Sequence, residues 1–325
     1  MDKKNLINKM KTYVSVDRYR QLAERYALIA FILVTVVVLL FTTLTISYSS
    51  FSQNAYIQTK DQIFKPIIKQ LLDAGVDTGF INKMLLEPSV QFNEKFVKIN
   101  VTGMFKKTDY SHFYNSNSVA KTKEFIGNNY SQLEKAEGLF SVPKEVIASI
   151  LWIETKHGNF LGNNNIASVF FSTALCNQKE YIELNKQSIR ENPDIKPEQY
   201  FEFDLKIEQR AEKKANWAIK EIIALEKMDK VSTTPVQNIN GSWAGAFGCS
   251  QFLPSSYISW GVDGNGDGRV NLFEMDDAIF SVANYLKANG WGNDYSQQKA
   301  AVFHYNNSND YVNAVLTLAS LAKVG

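Results

Sequence analysis

Residues 26–46 form a run of 21 residues without a charged side chain, YALIAFILVTVVVLLFTTLTI. At about 1.5 Å per residue, a helix of this length spans the roughly 30 Å hydrocarbon core of a bilayer. A cleaved signal peptide is the alternative, but its apolar region is usually shorter, about 7–15 residues, and a small-residue cleavage site follows it. The run therefore predicts an uncleaved transmembrane anchor.

Charge on the two sides of this run predicts its orientation. Residues 1–25 carry seven Lys or Arg and three acidic residues, so they are expected to stay in the cytoplasm. Everything after residue 46 then faces the periplasm or cell wall, on the outer side of the cytoplasmic membrane. The whole chain has a formal charge of +2, which leaves the exported part near −2. That part offers no basic surface for nucleic acid.

The exported part reads as a polar tether, residues 47–60, followed by one mainly α-helical domain, residues 61–325. Apolar residues at three-to-four spacing predict helices over residues 63–72, 119–136, 143–157, 203–228, 276–289 and 296–304. Strand signals are sparse, and the clearest covers residues 96–101.

Cys176 and Cys249 are the two cysteines. An exported compartment permits a disulfide between them, but two buried free thiols fit equally well.

The segment DGNGDGRVNLFE, residues 263–274, spaces its oxygen-bearing groups as an EF-hand-like calcium loop does. The expected ligands at positions 1, 3, 5, 7, 9 and 12 are Asp263, Asn265, Asp267, the carbonyl of Arg269, Asn271 and Glu274. Gly268 stands at position 6, where the chain must turn sharply. Asp277 is an alternative to Glu274 as the closing ligand, and the sequence does not decide between them. We expect a structural Ca²⁺ site.

The segment PKEVIASILWIETKHG, residues 143–158, predicts a helix that carries a carboxyl group on its apolar face. Ile147, Ile150, Leu151 and Glu154 recur at i, i+3, i+4 and i+7, so Glu154 lies on the apolar stripe. Loss of hydration raises the pKa of a carboxyl toward neutrality, as a general acid requires. The alternative is a buried ion pair with a Lys or Arg. His157 is a weaker candidate for a base, because the helix end favours a cation there anyway.

Four segments together resemble the membrane-bound lytic murein transglycosylase B family: IETKHGNFLG, GSWAGAFGCSQFLPSSY, the calcium loop with the helix after it, and YNNSNDYV. The resemblance covers roughly residues 60–320 in the same order. It implies a lysozyme-like fold, and an enzyme that cleaves the MurNAc–GlcNAc β-1,4 bond of peptidoglycan to leave a 1,6-anhydroMurNAc end.

The resemblance also implies roles for individual residues. Glu154 matches the family's catalytic Glu, which acts first as acid and then as base. Residues expected to contact the sugars are Ser242, Gln251, Tyr305, Asn306 and Tyr110. The Tyr305 hydroxyl or the Asn306 amide is expected to orient Glu154.

Two other functions are compatible with the same sequence features. The first is a hydrolytic muramidase, in which water replaces the C6 hydroxyl of the sugar as the nucleophile. The second is a membrane-tethered scaffold that binds peptidoglycan without turnover.

Overall fold

The computed structural model describes residues 31, 34–39, 42, 60–102 and 109–323. From residue 60 onward the described part is mainly helical, as predicted. Its first six helices are α1 (residues 60–73), α2 (Thr78–Leu86), α3 (Glu94–Thr102), α4 (Ser116–Asn128), α5 (Tyr130–Phe140) and α6 (Lys144–Thr155). The later helices are α7 (Ile166–Thr173), α8 (Lys179–Arg190), α9 (Tyr200–Asp229), α10 (Pro254–Trp260), α11 (Met275–Ala288), α12 (Tyr295–Tyr305) and α13 (Asn309–Leu321). Two short strands, β1 (Asn164–Asn165) and β2 (Asn240–Gly241), pair antiparallel, with Asn164 opposite Gly241.

Five of the six predicted helices are found within a few residues of their expected bounds, and the sixth is divided. The helix expected over residues 119–136 is two helices, α4 and α5, which meet at Asn129. The side-chain amide and the backbone N–H of Asn129 both donate to the carbonyl of Phe125, at 2.9 and 3.0 Å. The backbone bond is the last of α4, and the chain leaves helical geometry at Asn129, which has φ of −117° and ψ of 24°. The apolar spacing alone did not reveal this break.

The strand predicted over residues 96–101 is wrong, because this segment lies in α3. Its buried residues are Phe96, Val97, Asn100 and Val101, a spacing of i, i+1, i+4 and i+5 that belongs to one helix face. The β-branched residues favour a strand locally, and packing against α7, α8 and α9 overrides that preference.

Helix α6 lies at the centre of the main hydrophobic core. Every residue from Glu145 to Ile153 is buried, and α4, α5, α11 and α13 pack around it. A helix that is covered on all sides holds its side chains in fixed positions. The carboxyl-terminal end of α6 is therefore a rigid support for a functional group.

A smaller second core joins α3, α8 and the first half of α9. Its buried members are Val97, Val101, Cys176, Ile189, Ile207, Ala211 and Ala215. Cys176 thus lies in this second core, whereas Cys249 lies in the main one. Both thiols are free and buried, which agrees with the second of the two alternatives left open by the sequence.

The predicted N-terminal segment, residues 1–25, and most of the predicted anchor and tether lie outside the described residues. Within the span 26–46, residues 31, 34–39 and 42 are helical and exposed. Among the residues that the structure describes, no helix is both long and apolar enough to cross a membrane. Residues from Lys60 onward form a compact unit of their own.

Candidate active site

Glu154 is the second-last residue of α6, and the helix ends immediately after it in an unusual way. Lys156 and His157 both adopt left-handed backbone conformations, with φ of 52° and 57°. Their N–H groups turn back to the carbonyls of Trp152 and Leu151, at 2.9 and 3.0 Å. The Thr155 hydroxyl donates to the carbonyl of Cys249 at 2.8 Å. This bond ties the end of α6 to the loop that follows β2.

The carboxyl of Glu154 has one partner in the described part of the chain, the hydroxyl of Tyr311. Tyr311 donates to Glu154 Oε1 at 2.6 Å. No Lys or Arg among the described residues forms an ion pair with Glu154, so the alternative of a buried ion pair finds no support here. Burial raises the pKa of Glu154 to about 7, although the Tyr311 hydrogen bond acts in the opposite direction. A carboxyl with this pKa exchanges a proton near neutral pH.

Tyr311 was not recognised from the sequence as the partner of Glu154. It lies on α13, is 1% exposed, and packs with the rest of the buried stripe Val312, Val315, Leu318 and Ala319. A buried tyrosine hydroxyl requires a hydrogen-bond partner. The signal was therefore a tyrosine on an apolar helix face, which pointed to a buried polar partner without identifying it.

Tyr110 and Asn306 join the same group of side chains. The ring of Tyr110 meets the ring of Tyr311 edge-on, with centroids 5.7 Å apart. Burial and the nearby Glu154 carboxylate raise the pKa of Tyr110, while a hydrogen bond with the Asn306 side chain lowers it. The structure thus brings two predicted sugar-contacting residues next to the Glu154–Tyr311 pair.

Tyr305 has a different partner from the one expected. Its hydroxyl donates to the carbonyl of Ser250 at 2.6 Å, and burial raises its pKa well above the usual value. The expectation that Tyr305 or Asn306 orients Glu154 by a hydrogen bond is therefore wrong, since Tyr311 does so. Tyr305 instead fixes the loop that carries Gln251.

Ser242 and Gln251 lie in the loop after β2 and bond to backbone groups. The Ser242 hydroxyl accepts from the N–H of Ala246 at 3.2 Å. The Gln251 amide donates to the carbonyls of Gly248 and Leu161 at 3.0 and 3.2 Å. Gln251 also has a positive φ of 50°, a conformation that costs energy for a residue with a side chain. Both side chains thus shape the loop, and neither bonds to Glu154.

His157 is held in the core rather than available as a base. Its ring stacks on Phe125 with centroids 3.9 Å apart, and its Nε2 bonds to the carbonyl of Ala148 at 3.0 Å. Burial lowers its pKa to about 4. The neutral imidazole, stacked on Phe125 and bonded to the Ala148 carbonyl, supports the turn after α6.

The expected calcium loop connects α10 to α11, so the helix–loop–helix order is present. Asp263 accepts the N–H groups of Gly266, Asp267 and Gly268 at 2.6, 3.2 and 2.7 Å. The side chains of Asn265 and Asp267 each accept a backbone N–H two residues further on, at 2.9 Å. These bonds fold the loop tightly around its oxygen-bearing side chains.

Glu274 and Asp277 make different contacts in this loop. The two carboxylate oxygens of Glu274 accept from the side-chain amides of Asn265 and Asn271, at 2.7 and 2.8 Å. Asp277 is fully buried, and accepts the backbone N–H groups of Gly264 and Asn271 at 2.8 and 2.6 Å. Over the described ranges there is no group of three or more His, Cys, Asp or Glu side chains placed to hold a metal ion.

Comparison with known proteins identifies the family and the fold. Residues 59–301 match the family model of the transglycosylase SLT domain. A stretch of 165 residues is 34% identical to the membrane-bound lytic murein transglycosylase B of Escherichia coli (strain K12). This match covers 50% of the present chain and 36% of that protein, so the chain matches about a third of the relative's length.

Two solved structures share the fold at low sequence identity. The E. coli lytic transglycosylase Slt35 in complex with calcium superposes with a TM-score of 0.59 at 20% identity. The superposition covers 81% of this chain and 92% of the Slt35 chain. Pseudomonas aeruginosa SltB3 in complex with NAG-anhNAM-pentapeptide superposes with a TM-score of 0.61 at 19% identity, covering 82% of this chain and 80% of its own. The expected lysozyme-like helical fold is therefore confirmed. Because the family model also matches about three quarters of the sequence, the chain belongs to the transglycosylase SLT domain family of enzymes.

Proposed function

We propose that this protein is a peptidoglycan lytic transglycosylase in which Glu154 is the single catalytic carboxyl. It cleaves the MurNAc–GlcNAc β-1,4 bond without water and leaves a 1,6-anhydroMurNAc end. The observation that carries this proposal is the state of Glu154. Its pKa is about 7, its partner is a neutral hydroxyl, and no cation among the described residues pairs with it. The relatives named above are lytic transglycosylases, which supports the same reaction class.

The reaction needs a proton donor and, later, a proton acceptor at one place. Protonated Glu154 donates its proton to the glycosidic oxygen, and the bond from that oxygen to C1 of MurNAc breaks. The N-acetyl oxygen of the same sugar stabilises C1. Glu154, now a carboxylate, removes the proton from the C6 hydroxyl, and O6 bonds to C1. The nucleophile belongs to the substrate, so proximity replaces the second protein carboxylate that most glycosidases use.

The other predicted sugar-contacting residues surround this step. Tyr110 and Asn306 lie beside the Tyr311–Glu154 pair, where they would contact the sugar whose glycosidic oxygen Glu154 protonates. Ser242 is assigned to the N-acetyl group, and Gln251 and Tyr305 to the wall of the cleft. The bonds of Ser242 and Gln251 to loop backbone keep this wall in one conformation.

Product analysis tests the reaction type. Digestion of purified sacculi is expected to release muropeptides that are one water lighter than those with reducing ends, as measured by mass spectrometry. Products with reducing ends would instead identify a hydrolytic muramidase. No soluble product from any peptidoglycan preparation would favour the non-catalytic scaffold.

The loop of residues 263–274 fits a structural Ca²⁺ ion in its donor chemistry. Residues that would hold the ion are Asp263, Asn265, Asp267, the carbonyl of Arg269, Asn271 and Glu274, all of them oxygen donors as Ca²⁺ requires. Glu274 already reaches Asn265 and Asn271, so we assign it as the closing ligand. Asp277 holds the loop through backbone N–H groups. When bound, the ion would neutralise the negative charge of the carboxylates in this loop. The loop has no role in proton transfer.

Calcium removal is expected to lower the thermal stability of the protein. At a calcium concentration about 100-fold above Kd, binding adds roughly 2.7 kcal/mol, which corresponds to several degrees in Tm for a domain of this size. The measurement is a melting curve by circular dichroism with Ca²⁺ and again with excess EDTA. An Asp263→Asn, Asp267→Asn double variant should no longer respond to EDTA. Equal Tm values for the wild-type protein in both conditions would contradict a calcium site.

We also propose that residues 26–46 anchor the protein in the cytoplasmic membrane, with the N-terminus in the cytoplasm. Phe31, Val34 and Leu39 in this span are helical and expose 59–70% of their surface, as apolar side chains that face lipid would. The E. coli relative that is 34% identical over 165 residues is itself named as membrane-bound. Protein released from membranes by alkaline carbonate would argue against an integral anchor.

A further inference from the structure

The side chain of Lys156 takes no part in the function described so far, although it lies only two residues after Glu154. Its ammonium nitrogen lies 4.0 Å from the ring centroid of Phe113 and 4.2 Å from that of Trp152. Both distances are well within the roughly 6 Å at which the face of an aromatic ring attracts a cation. One ammonium group therefore contacts two rings, one on α6 and one in a distant part of the sequence.

The two rings are the partners of this ammonium in the described part of the chain. No carboxylate there forms an ion pair with Lys156, and burial lowers its pKa. Lys156 is also not among the groups that shift the pKa of Glu154. A partly desolvated cation gains more from an aromatic face than an exposed one does. The contact with the rings therefore explains why this lysine is held against the protein.

Phe113 belongs to a short 3₁₀ turn, Ser111–Tyr114, which begins directly after Tyr110. The N–H of Phe113 donates to the carbonyl of Tyr110 at 3.0 Å. The rings of these two residues lie 5.8 Å apart between centroids. The place of the Phe113 ring therefore determines where the turn presents Tyr110.

The contacts form a closed path around the catalytic carboxyl. Tyr110 meets the ring of Tyr311 edge-on, and Tyr311 donates to Glu154. Glu154 and Lys156 both lie at the end of α6, so the path through Phe113 returns to the helix end where it began. The turn itself packs mainly against α4 and α13. The Lys156 ammonium thus ties the turn to the end of α6.

We propose that Lys156 is a positioning residue of the reaction, whose ammonium holds the turn at Phe113 and thereby sets the place of Tyr110 beside the sugar. This inference rests on the proposed function, since Tyr110 contacts the substrate of that same reaction. Lys156 acts through Phe113 and Tyr110 and transfers no proton. The rings attract a positive charge, which an apolar side chain of similar length does not supply.

Hydrogen exchange of the full-length protein tests the link itself, independently of activity. Lys156→Met keeps an unbranched side chain but removes the charge. Residues 109–114 are then expected to exchange roughly five- to tenfold faster, as measured by mass spectrometry, because the turn opens more often. Lys156→Arg keeps a cation that stacks on aromatic faces, so it should exchange like the wild-type protein. Unchanged exchange in Lys156→Met would overturn the inference while leaving the reaction intact.

Kinetics on purified sacculi test whether the link matters to the reaction. Lys156→Met is expected to lower kcat/KM roughly five- to tenfold, equivalent to about 1–1.4 kcal/mol, and Lys156→Arg should stay within about twofold of wild type. In a Tyr110→Leu background, Lys156→Met should cause less than about a twofold further loss, because both substitutions act on the same group. The same loss in both backgrounds would show that Lys156 does not act through Tyr110.

Lys214→Met is the matched control, because it removes a cation from a tryptophan ring elsewhere in the protein. Lys214 lies on α9, with its ammonium 4.2 Å from the ring centroid of Trp217. Both kcat/KM and the exchange of residues 109–114 should stay at their wild-type values. Faster exchange in Lys156→Met with unchanged kcat/KM would overturn the positioning role. If the wild-type protein cleaves no peptidoglycan, the proposed function fails and the positioning role with it, whatever the exchange shows.

Discussion

Replacing Glu154 with glutamine is expected to lower the rate of peptidoglycan cleavage by about 10²–10⁴-fold, the usual contribution of a positioned acid or base. Glutamine has nearly the same shape and keeps an oxygen that accepts from Tyr311, so the site stays packed. It has no proton to give to the glycosidic oxygen and no charge with which to take the C6 proton. The measurement is kcat on purified sacculi, determined from the rate at which soluble muropeptides are released.

The same substitution should make the protein more stable above neutral pH. The pKa of Glu154 in the folded protein, about 7, lies above its ordinary value of 4.5. The stability that the neutral carboxyl provides is thus fully present below about pH 4.5 and is lost as the pH rises through 7. Glutamine never ionises and escapes this loss. We expect a gain on the order of 1–3 kcal/mol at pH 8 and no gain at pH 4, from denaturant unfolding at both values.

Glu145→Gln is the matched control, because Glu145 lies at the opposite end of the same helix. It is also buried, with 7% of its surface exposed, and it forms an ion pair with Lys144 at 3.6 Å. Nine residues separate the two positions in the sequence, about 13 Å along the helix axis. The control should retain wild-type activity. If Glu154→Gln cleaves peptidoglycan as fast as the wild-type protein, Glu154 is not the catalytic acid. If Glu154→Gln is less stable than the wild-type protein at pH 8, Glu154 is not buried as a neutral carboxyl.

The position of Glu154 was predictable because it depends on local sequence. Apolar spacing defined the helix α6, and the same spacing placed Glu154 among buried residues. The end of the helix was less accessible to sequence reasoning. It depends on left-handed conformations at Lys156 and His157, which residues with side chains adopt only when the surrounding packing enforces them.

The identity of the group that orients Glu154 was not predictable, because it is set by packing between distant parts of the chain. Tyr305 and Tyr311 lie six residues apart on successive helices, and both are largely enclosed by protein. Which of the two hydroxyls meets the carboxyl depends on how α13 packs against α6, 157 residues away in sequence. The loop of residues 263–274 shows the same division. The spacing of its oxygen-bearing side chains is local and can be identified in the sequence, whereas the different contacts of Glu274 and Asp277 depend on how the loop folds against α11.

Tyr311→Phe is expected to extend activity to higher pH. A hydrogen bond donated to a carboxyl stabilises its ionised form, so the Tyr311 hydroxyl lowers the pKa of Glu154. Removing that hydroxyl leaves burial unopposed and raises the pKa further. In the wild-type protein the acid is lost as the pH rises through about 7, and kcat/KM should fall tenfold per pH unit above it.

The fall in kcat/KM above pH 7 is the alkaline limb of the pH profile. In Tyr311→Phe this limb should shift to higher pH by on the order of one pH unit, since a hydrogen bond to a charged group contributes roughly 1.5–3 kcal/mol. Phenylalanine fills the space of a side chain that is 1% exposed, so the fold should persist. Tyr257→Phe is the control, because the Tyr257 hydroxyl donates to the carbonyl of Val270 at 2.9 Å rather than to Glu154. It also removes a buried hydroxyl, yet the limb should stay near pH 7. A limb that stays in place in Tyr311→Phe, or that moves to lower pH, would show that Tyr311 does not set the protonation of Glu154, whatever its effect on the rate.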